Sequence, residues 1–474
     1  MKQTIAVIVA MALMLLIPWL ASAQNLVTLH TFDHYDGEAP GELNQGLDGR
    51  LYGTTGKGGT NGSGTVFSMN RDGTGFTNLY TFSAVLGYDF KDYPINTDGY
   101  VNWADFPEGL IQGFDGRLYG VAEGGLNGNG TIFSLNTNGT GFTVLHTFAA
   151  SVFSGQGTMN TDGEYPHRLC QGNDGWLYGT TRTGGTNAVG VIFRLNTNGS
   201  NFTILRQFNG ATTNDLIAGY GPPPGGLIQG TDGMLYGVTQ MSDHPGGAGT
   251  VFRMNTDGGG FSYLYSFDGS GTNGGSPTCR LLQGHDGRLY GTASGGGVNT
   301  NAGVTVGGGV VFAINTNGTG FSILNYCSTY IPGPNCGLIQ ASDGKLYGRN
   351  QGGMIFSMDT NGDNLNVISA PGGVSVSPMI QGNDGALYGV QKYASTDAPF
   401  GTIFGLPINL HISVEAGNAI VTWPTWASGY YTLQTNCSLS ATGWAALTND
   451  IVIVTNNFEL TNTTTGNAVF FRLH

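Results

Sequence analysis

A nine-residue segment that occurs seven times constrains the fold of this chain more than any other feature. In residues 112–120 it reads Gln-Gly-Phe-Asp-Gly-Arg-Leu-Tyr-Gly, and each copy keeps Gln, then Asp-Gly three residues later, then Leu-Tyr-Gly. The copies begin at Gln45, Gln112, Gln171, Gln229, Gln283, Gln340 and Gln381. Regular self-similarity of this kind is the signature of a repeat architecture.

Each copy predicts four antiparallel strands. Asp-Gly between two apolar runs predicts a tight hairpin, because these residues tolerate positive φ. A third apolar run follows, such as Thr-Ile-Phe-Ser-Leu at 131–135, then an Asn-Thr-Asn-Gly turn at 136–139 and a fourth run at 142–148. Four such strands per repeat are typical of a propeller blade.

The two ends of the repeat region predict a closed ring. The seventh copy has three strands and then reaches Pro407, with no fourth strand. The segment 26–32 reads Leu-Val-Thr-Leu-His-Thr-Phe and resembles the fourth strand Leu-Tyr-Thr-Phe at 79–82. We therefore expect an all-β fold: a seven-bladed β-propeller over residues 24–407, closed by an N-terminal strand.

The flanking segments predict export and a second domain. Residues 1–23 carry Lys2, an apolar run and Ala-Ser-Ala, which is the layout of a secretory signal peptide rather than of a membrane anchor. Residues 408–474 contain short strands at sandwich spacing and predict a small β-sandwich domain. The expected location is secreted, cell-surface or periplasmic, with no membrane span after signal removal.

Composition narrows the classes of partner. Losing Lys2 with the signal takes the formal charge from −13 to −14, which makes nucleic acid an improbable partner. The eight histidines show no metal-ligand spacing, so we expect no metal and no cofactor. We expect a monomer.

The cysteines are too few to frame the fold. Cys170 and Cys279 fall in first strands of blades that are two apart, so they should not meet. Cys327 ends a fourth strand and Cys336 begins the next first strand across a short loop, which predicts a disulfide between them.

The repeated elements carry a resemblance to a known family. Leu-Ile-Gln-Gly-x-Asp-Gly-x-Leu-Tyr-Gly-Thr-Thr, Gly-Thr-Val-Phe and Asn-x-Asn-Gly-x-x-Phe are similar to the GloVer tandem repeat of exported bacterial proteins, over roughly residues 26–406. The C-terminal segment, with Tyr-Thr-Leu-Gln-Thr-Asn at 431–436 and Phe-Phe-Arg-Leu at 470–473, resembles fibronectin/immunoglobulin-like modules. The resemblance implies the fold and export, and it supplies no catalytic residues.

Candidate binding residues follow from what varies between copies. The Asp-Gly and Asn-x-Asn-Gly turns should open on one face (the turn face), and the longer, diverse loops on the other (the variable face). Binding residues usually sit on variable loops of a rigid scaffold, so we expect the site on the variable face. Aromatic rings beside hydrogen-bonding and charged groups suit sugar rings. The candidates are Asp92, Tyr93, Trp103, Asp105, Tyr165, Arg182, Tyr220, His244 and Tyr393.

Three functions fit the sequence. The first is a non-catalytic exported protein that binds a polysaccharide or a surface protein through the variable face. The second is a secreted polysaccharide hydrolase or lyase that uses the same face, with paired carboxylates such as Asp92 and Asp105. The third is a purely structural surface protein. The lack of a recognisable nucleophile, metal or acid-pair motif favours the first and leaves catalysis undecided.

The repeated glutamines allow two interpretations. They should ring the propeller axis, where they would form either a polar channel site or hydrogen bonds to backbone groups of their own or the neighbouring blade. We favour the second, because a buried amide without partners is costly.

Overall fold

The structure, a computed structural model, describes most of the repeat region. It covers residues 26–91, 94–99, 109–153, 157–208, 226–240, 247–267, 273–297, 308–327, 336–350, 352–369, 377–392 and 399–406, and the backbone of strands between 411 and 473. All regular elements in these ranges are β-strands. They include no helix with the length and apolar character needed to cross a bilayer.

Residues 26–406 form a seven-bladed β-propeller in which each blade is built on four antiparallel strands. From the innermost strand outward, blade 1 consists of Asn44–Gln45, Leu51–Lys57, Thr65–Met69 and Thr77–Thr81, and blade 2 of Ile111–Gln112, Leu118–Ala122, Thr131–Leu135 and Thr143–Thr147. Blade 3 consists of Cys170–Gln171, Leu177–Thr183, Val191–Leu195 and Thr203–Gln207, and blade 4 of Ile228–Gln229, Leu235–Thr239, Thr250–Met254 and Ser262–Ser266. Blades 5 to 7 are Leu282–Gln283, Leu289–Gly295, Val310–Ile314 and Ser322–Tyr326; Ile339–Gln340, Leu346–Arg349, Ile355–Met358 and Asn366–Ser369; and Ile380–Gln381, Leu387–Gln391, Thr402–Leu406 and Val27–Thr31.

The constant residues of the repeat each have a structural cause, as blade 2 illustrates. Gly116 has a φ of 82°, which the tight turn requires and which glycine adopts without strain. The Asp115 carboxylate accepts the backbone N–H of Arg117 at 3.1 Å and the hydroxyl of Tyr119 at 2.6 Å. A Cβ on Gly120 would lie 2.5 Å from Cζ of Phe133, so only glycine lets that ring pack against the second strand.

The hydrophobic core lies between blades rather than in one centre. At the junction of blades 1 and 2, Tyr52 and Val66 pack with Leu110, Leu118 and Phe133. Comparable clusters fill the other junctions. Each blade therefore depends on its neighbours, as expected of a repeat fold.

The repeated glutamines bind backbone groups, as the second interpretation predicts. In blade 2, Gln112 Nε2 donates to the carbonyl oxygen of Gly116 at 2.8 Å, and its Oε1 accepts the N–H of Leu47 in blade 1 at 2.7 Å. The same pair of bonds recurs at Gln171, Gln229, Gln283, Gln340 and Gln381. The seventh link joins the ends of the ring: Asn383 N–H donates to Gln45 Oε1 at 2.7 Å.

Further contacts join blade 7 to blade 1. Strand Val27–Thr31 pairs antiparallel with Thr402–Leu406 as the outer strand of blade 7. On the turn face, Arg71 Nη1 lies 2.7 Å from Asp384 Oδ2, whereas the equivalent position in blades 2 to 6 is threonine. The junction of the chain's two ends thus carries an ion pair that the repeat sequence does not supply elsewhere.

Three short strands widen blades 1, 3 and 5 at the variable face. Glu38–Pro40, Glu164–Pro166 and Gly275–Pro277 each pair with the second strand of their own blade, which is seven residues long in these three blades. Two small hairpins also lie in blade-to-blade connections, Gly87–Tyr88 with Pro94–Ile95, and Val152–Phe153 with Thr158–Met159.

The disulfide predicted between Cys327 and Cys336 does not form. Cys327 keeps a free thiol and occupies the buried position that Phe82, Phe148 and Phe267 take after the outer strands of other blades. Cys336 leads into the innermost strand of blade 6. Cys327 thus lies at the outer edge of blade 5 and Cys336 at the axial side of blade 6, whereas disulfide-linked Cα atoms lie about 4.4–6.8 Å apart. Cys170 and Cys279 are also free thiols.

The described residues after the propeller include seven strands. His411–Glu415, Asn418–Pro424, Asn457–Thr463 and Ile451–Val454 form one antiparallel sheet, and Ala445–Ala446, Leu433–Asn436 and Phe470–Leu473 form a second.

Candidate functional site

The inner strands bring a charged cluster to the propeller axis. The position three residues before the repeated glutamine lies where each inner strand enters from the variable face. In ring order this position holds Glu42, Gly109, Arg168, Gly226, Arg280, Gly337 and Pro378. Charge therefore occurs in blades 1, 3 and 5, and we call Glu42, Arg168 and Arg280 the axial cluster.

The contacts within the axial cluster cross the ring. Arg168 Nη1 forms an ion pair with Glu42 Oε1, and Arg280 Nη2 lies 3.6 Å from the same oxygen. Blades 1, 3 and 5 are not neighbours, so their side chains can meet only near the axis. A Cβ on Gly109 would lie 3.0 Å from Cβ of Glu42 and 3.3 Å from Nη1 of Arg168, so glycine in blade 2 leaves room for this pair.

Burial shifts the pKa values of both arginines of the axial cluster. Burial holds the pKa of Arg168 well below its usual value, and the charge of Arg280 lowers it further. Burial also lowers the pKa of Arg280. Both shifts have the same main cause, the loss of solvation of the guanidinium charge on burial.

A neighbouring thiol is not a nucleophile. Cys170 lies in the inner strand of blade 3, and burial raises its pKa to about 12 despite the opposing charges of Arg280 and Arg168. Its sulfur is therefore protonated at neutral pH, and nucleophilic attack requires the thiolate.

Backbone hydrogen bonds from three residues with positive φ, which we call clips, hold the variable face of blades 1, 3 and 5 to the preceding blade. Ala39, Tyr165 and Ser276 have φ values of 53°, 55° and 51°, which are unusual for residues with a side chain. Their N–H groups donate to carbonyl oxygens of the preceding blade, at 2.8 Å for Ala39, 2.8 Å for Tyr165 and 2.6 Å for Ser276. The same three blades supply the axial cluster, so the clips position the segments that carry its charges.

Two of the residues predicted from sequence lie side by side. The register of Glu164–Pro166 against Leu177–Thr183 places Tyr165 opposite Arg182 at the variable face of blade 3. The Tyr165 ring is not an open platform, because Lys91 Nζ lies 5.2 Å from its centroid. Asp92, Tyr93, Trp103, Asp105, Tyr220, His244 and Tyr393 lie outside the described residues.

A buried polar cluster anchors the loops beside Tyr165. Glu164 is fully buried and accepts hydrogen bonds from Thr158 Oγ1 at 2.8 Å and from Ser151 Oγ. Lys91 Nζ lies 3.3 Å from its Oε2 and donates to Asn129 Oδ1 at 3.0 Å. These bonds tie the connections after blades 1 and 2 to blade 3, so this part of the variable face is preorganised.

Exposed aromatic side chains line the same loops. Tyr35, Tyr88, Phe90 and Phe153 are 75, 66, 62 and 73% exposed, and all lie in connections that open on the variable face. On the turn face, Leu47 and Phe114 are exposed, each at the tip of an Asp-Gly turn. Aromatic rings that remain in water beside charged groups are suited to stacking on a ligand.

The turn face uses most of its polar groups internally. Beside the glutamine links, each repeated tyrosine donates its hydroxyl to the turn aspartate of its own blade at 2.5–2.7 Å. A cavity of 460 Å³ lies at the junction of blades 1 and 7, where Asp48, Asp72, Asp384, Arg50 and Arg71 line it. Its arginines are engaged: Arg50 donates to Asn70, Ser68 and Gly75, and Arg71 pairs with Asp384.

Sequence reasoning missed the axial cluster although a signal existed. The position three residues before the glutamine is charged in three copies and is glycine or proline in the other four. A comparison of the copies column by column would have found it. The described residues hold no group of three or more His, Cys, Asp or Glu side chains arranged to bind a metal ion.

Fold and site define a seven-bladed tandem-repeat β-propeller with a charged cluster at its axis. The Gloeobacter/Verrucomicrobia repeat matches residues 16–151 and 97–305, which together span 16–305 of the 474 residues, more than half of the chain. The chain belongs to this repeat family. No curated protein matches it.

Several solved structures resemble this chain at low sequence identity. The extracellular domain of the hybrid two-component system BT3049 from B. thetaiotaomicron is 13% identical with a TM-score of 0.47, and the match covers 81% of this chain and 45% of that one. TolB from Acinetobacter baumannii is 14% identical with a TM-score of 0.39, covering 71% and 68%. YCF48 bound to D1 peptide is 12% identical with a TM-score of 0.42, covering 81% and 96%. This chain thus spans less than half of the first structure, and likenesses at these TM-scores carry no argument about function.

Proposed function

We propose that this chain is an exported, non-catalytic propeller that binds a glycan through its variable face. The observation that carries the proposal is the joint presence on that face of exposed aromatic rings, Tyr35, Tyr88, Phe90 and Phe153, and a buried charged cluster at the axis. Sugar recognition combines flat apolar contacts with oriented polar groups, and this face offers both.

Three architectural parts belong to the proposal. Residues 1–23 act as the export signal, so the mature chain is secreted or held at the cell surface or in the periplasm. Strand Val27–Thr31 latches the ring, in keeping with its pairing to Thr402–Leu406. Residues 408–474 form a separate fibronectin/immunoglobulin-like sandwich, and the two sheets found among strands 411–473 support this.

The anchored loops favour binding without large rearrangement. Glu164 holds Lys91 and Thr158, which belong to different connections, in one buried cluster. A ligand that contacts these loops would meet a preformed surface, and a preformed surface lowers the entropic cost of binding.

The test is a glycan array and a polysaccharide pull-down with the mature protein. A variant with Tyr88→Ala and Phe90→Ala should lose most of its binding, and so should one with Tyr93→Ala and Trp103→Ala. The matched control carries Leu47→Ala and Phe114→Ala, which remove exposed apolar groups from the turn face. Binding lost equally in the control would put the site elsewhere.

Reducing-sugar release measured in parallel distinguishes binding from cleavage by a hydrolase or lyase. We expect no release of reducing sugar. Sugar release that disappears on Asp92→Asn or Asp105→Asn would establish the enzyme function instead.

A further inference from the structure

The junction between blades 6 and 7 contains a buried arginine. Arg349 is fully buried at the end of the second strand of blade 6, and its side chain reaches the second strand of blade 7. The equivalent residues of the other blades are uncharged: Thr54, Val121, Thr180, Val238, Thr292 and Val390. A charge at this repeat position therefore occurs at one junction of the ring.

The charge of Arg349 has few partners. Its Nη1 donates to the carbonyl oxygen of Val390 at 2.6 Å, and its Cζ lies 4.9 Å from the ring centroid of Phe404. In the described part of the chain, Nε and Nη2 have no hydrogen-bond partner. Burial lowers the pKa of Arg349 to about 10, against the opposing effect of Cys336, so the group stays protonated at neutral pH. Burying a charge with so few partners is unfavourable, so Arg349 disfavours the contact between these two blades.

The same junction also lacks a contact that the others have. In blades 1 to 6 an outer turn joins the third and fourth strands, and its glycine packs on the outer strand of the preceding blade. A Cβ on Gly139 would lie 2.5 Å from the carbonyl oxygen of Leu79, for example. The glycines that make this approach are Gly73, Gly139, Gly199, Gly258, Gly318 and Gly362. Blade 7 has no outer turn, because its third strand, Thr402–Leu406, and its outer strand, Val27–Thr31, come from opposite ends of the repeat region.

We propose that the ring opens reversibly between blades 6 and 7, and that Arg349 promotes this opening because water hydrates its charge once the blades separate. Packing of Ile355 and Leu387, together with the hydrogen bond from Ser342 N–H to Gln381 Oε1 at 2.9 Å, holds the junction closed between openings. The inference concerns a movement of the scaffold and goes beyond glycan binding.

Blade 7 stays with blade 1 when the ring opens. Its outer strand, Val27–Thr31, leads directly into blade 1. Arg71 Nη1 lies 2.7 Å from Asp384 Oδ2, and Asn383 N–H donates to Gln45 Oε1 at 2.7 Å. The junction of blades 7 and 1 therefore has an added ion pair, whereas the junction of blades 6 and 7 has an added buried charge.

The test is the labelling rate of thiols buried at two junctions. Met379→Cys and Leu227→Cys place thiols at equivalent inner-strand positions of blades 7 and 4, where both native side chains are 2% exposed and pack on the preceding blade. N-ethylmaleimide labelling near neutral pH, followed by peptide mapping, gives the rate at each thiol, and for a buried group this rate reports local opening. Met379→Cys should react at least about tenfold faster than Leu227→Cys.

The charge of Arg349 is tested in the Met379→Cys background. Arg349→Met removes the charge and keeps a side chain of similar length, so the labelling rate should fall about tenfold. Arg349→Val, which introduces the residue found in blades 2, 4 and 7, should act in the same direction. Thr180→Val is the matched control, since it changes the equivalent position of blade 3 and should leave the rate at position 379 unchanged. Thermal melts confirm that each variant is folded.

Three results would overturn the inference. Equal labelling rates at positions 379 and 227 would show that the junction of blades 6 and 7 opens no more readily than another. Faster labelling in the Arg349 variants would show that Arg349 holds the blades together through Val390 and Phe404. An unchanged rate in those variants would show that its charge does not promote opening.

Discussion

The two faces of the propeller lie at opposite ends of the same strands, and their side chains make different kinds of contact. On the turn face, seven nearly identical turns direct their glutamine, aspartate and tyrosine side chains to one another and to the backbone. On the variable face, no two connections are alike, aromatic rings are exposed, and an uneven set of charges meets at the axis. The residues that repeat link the blades into a ring, and the residues that differ between copies form the candidate binding site.

The outer strand of blade 7 is needed by both faces, and its loss should have the largest effect. Deleting residues 25–32 removes the partner of Thr402–Leu406 and the buried Phe32, and exposes an unpaired sheet edge. Deleting residues 408–474 leaves every blade intact. Thermal melts of both truncations should show a large loss of melting temperature in the first alone, and equal melting temperatures would rule out the latch.

Alkaline pH should break the turn face. Burial and the hydrogen bond to Asp174 raise the pKa of Tyr178 to about 12, and the pKa values of Tyr236 and Tyr290 are raised to about 12 in the same way. A group whose pKa is higher in the folded state stabilises it below its unfolded pKa, which is about 10 for tyrosine. This stability is lost as pH rises from about 10 through 12.

Tyr178→Phe isolates one such bond. The variant leaves Asp174 without its hydroxyl donor, so the free energy of unfolding should fall by about 1.5–3 kcal/mol at pH 7. Between pH 10 and 12 the difference from the unmodified chain should shrink, because the tyrosine loses its advantage there. Urea unfolding at pH 7 and between pH 10 and 12 measures this difference in the free energy of unfolding. An equal difference at both would contradict the assigned role of Tyr178.

The smallest effect concerns the clips of the variable face. Ala39 has a φ of 53°, which glycine adopts without a steric penalty. Ala39→Gly should therefore be neutral or stabilising by up to about 1 kcal/mol, the reverse of the usual cost of glycine in a strand. The matched control is Ala122→Gly, in a strand of blade 2 and without a positive φ, which should destabilise the protein in the same urea melts. An equal loss of stability in both variants would show that the clip at Ala39 carries no strain.

The ring could be predicted from the sequence because the features that produce it are local. Asp-Gly turns, alternating apolar runs and the missing fourth strand of blade 7 depend on neighbouring residues, so they can be recognised in one chain. The role of Gln112 was also predictable, because a repeated amide needs a repeated partner. Strand Asn457–Thr463 could not be predicted in this way, since its polar sequence lacks the apolar run that marks the others.

The contacts within the axial cluster depend on the ring, so a comparison of the copies could mark the position but could not show that its charged residues meet. Glu42, Arg168 and Arg280 are far apart in the chain and meet only because the blades place their inner strands around one axis. The disulfide prediction failed for a related reason. Cys327 and Cys336 are close in sequence, but one follows the outer strand of blade 5 and the other precedes the inner strand of blade 6.

A blocking experiment tests the division between the faces most directly. Leu126→Cys on the variable face and Leu47→Cys on the turn face place thiols at positions that are 59 and 86% exposed, and each is coupled to a bulky polyethylene glycol maleimide. Binding to the strongest ligand of the glycan array is then measured, with reagent-treated unmodified chain as the control. The account predicts that the label at position 126 abolishes binding and the label at 47 leaves it unchanged. Loss of binding from the label at 47 alone would contradict it.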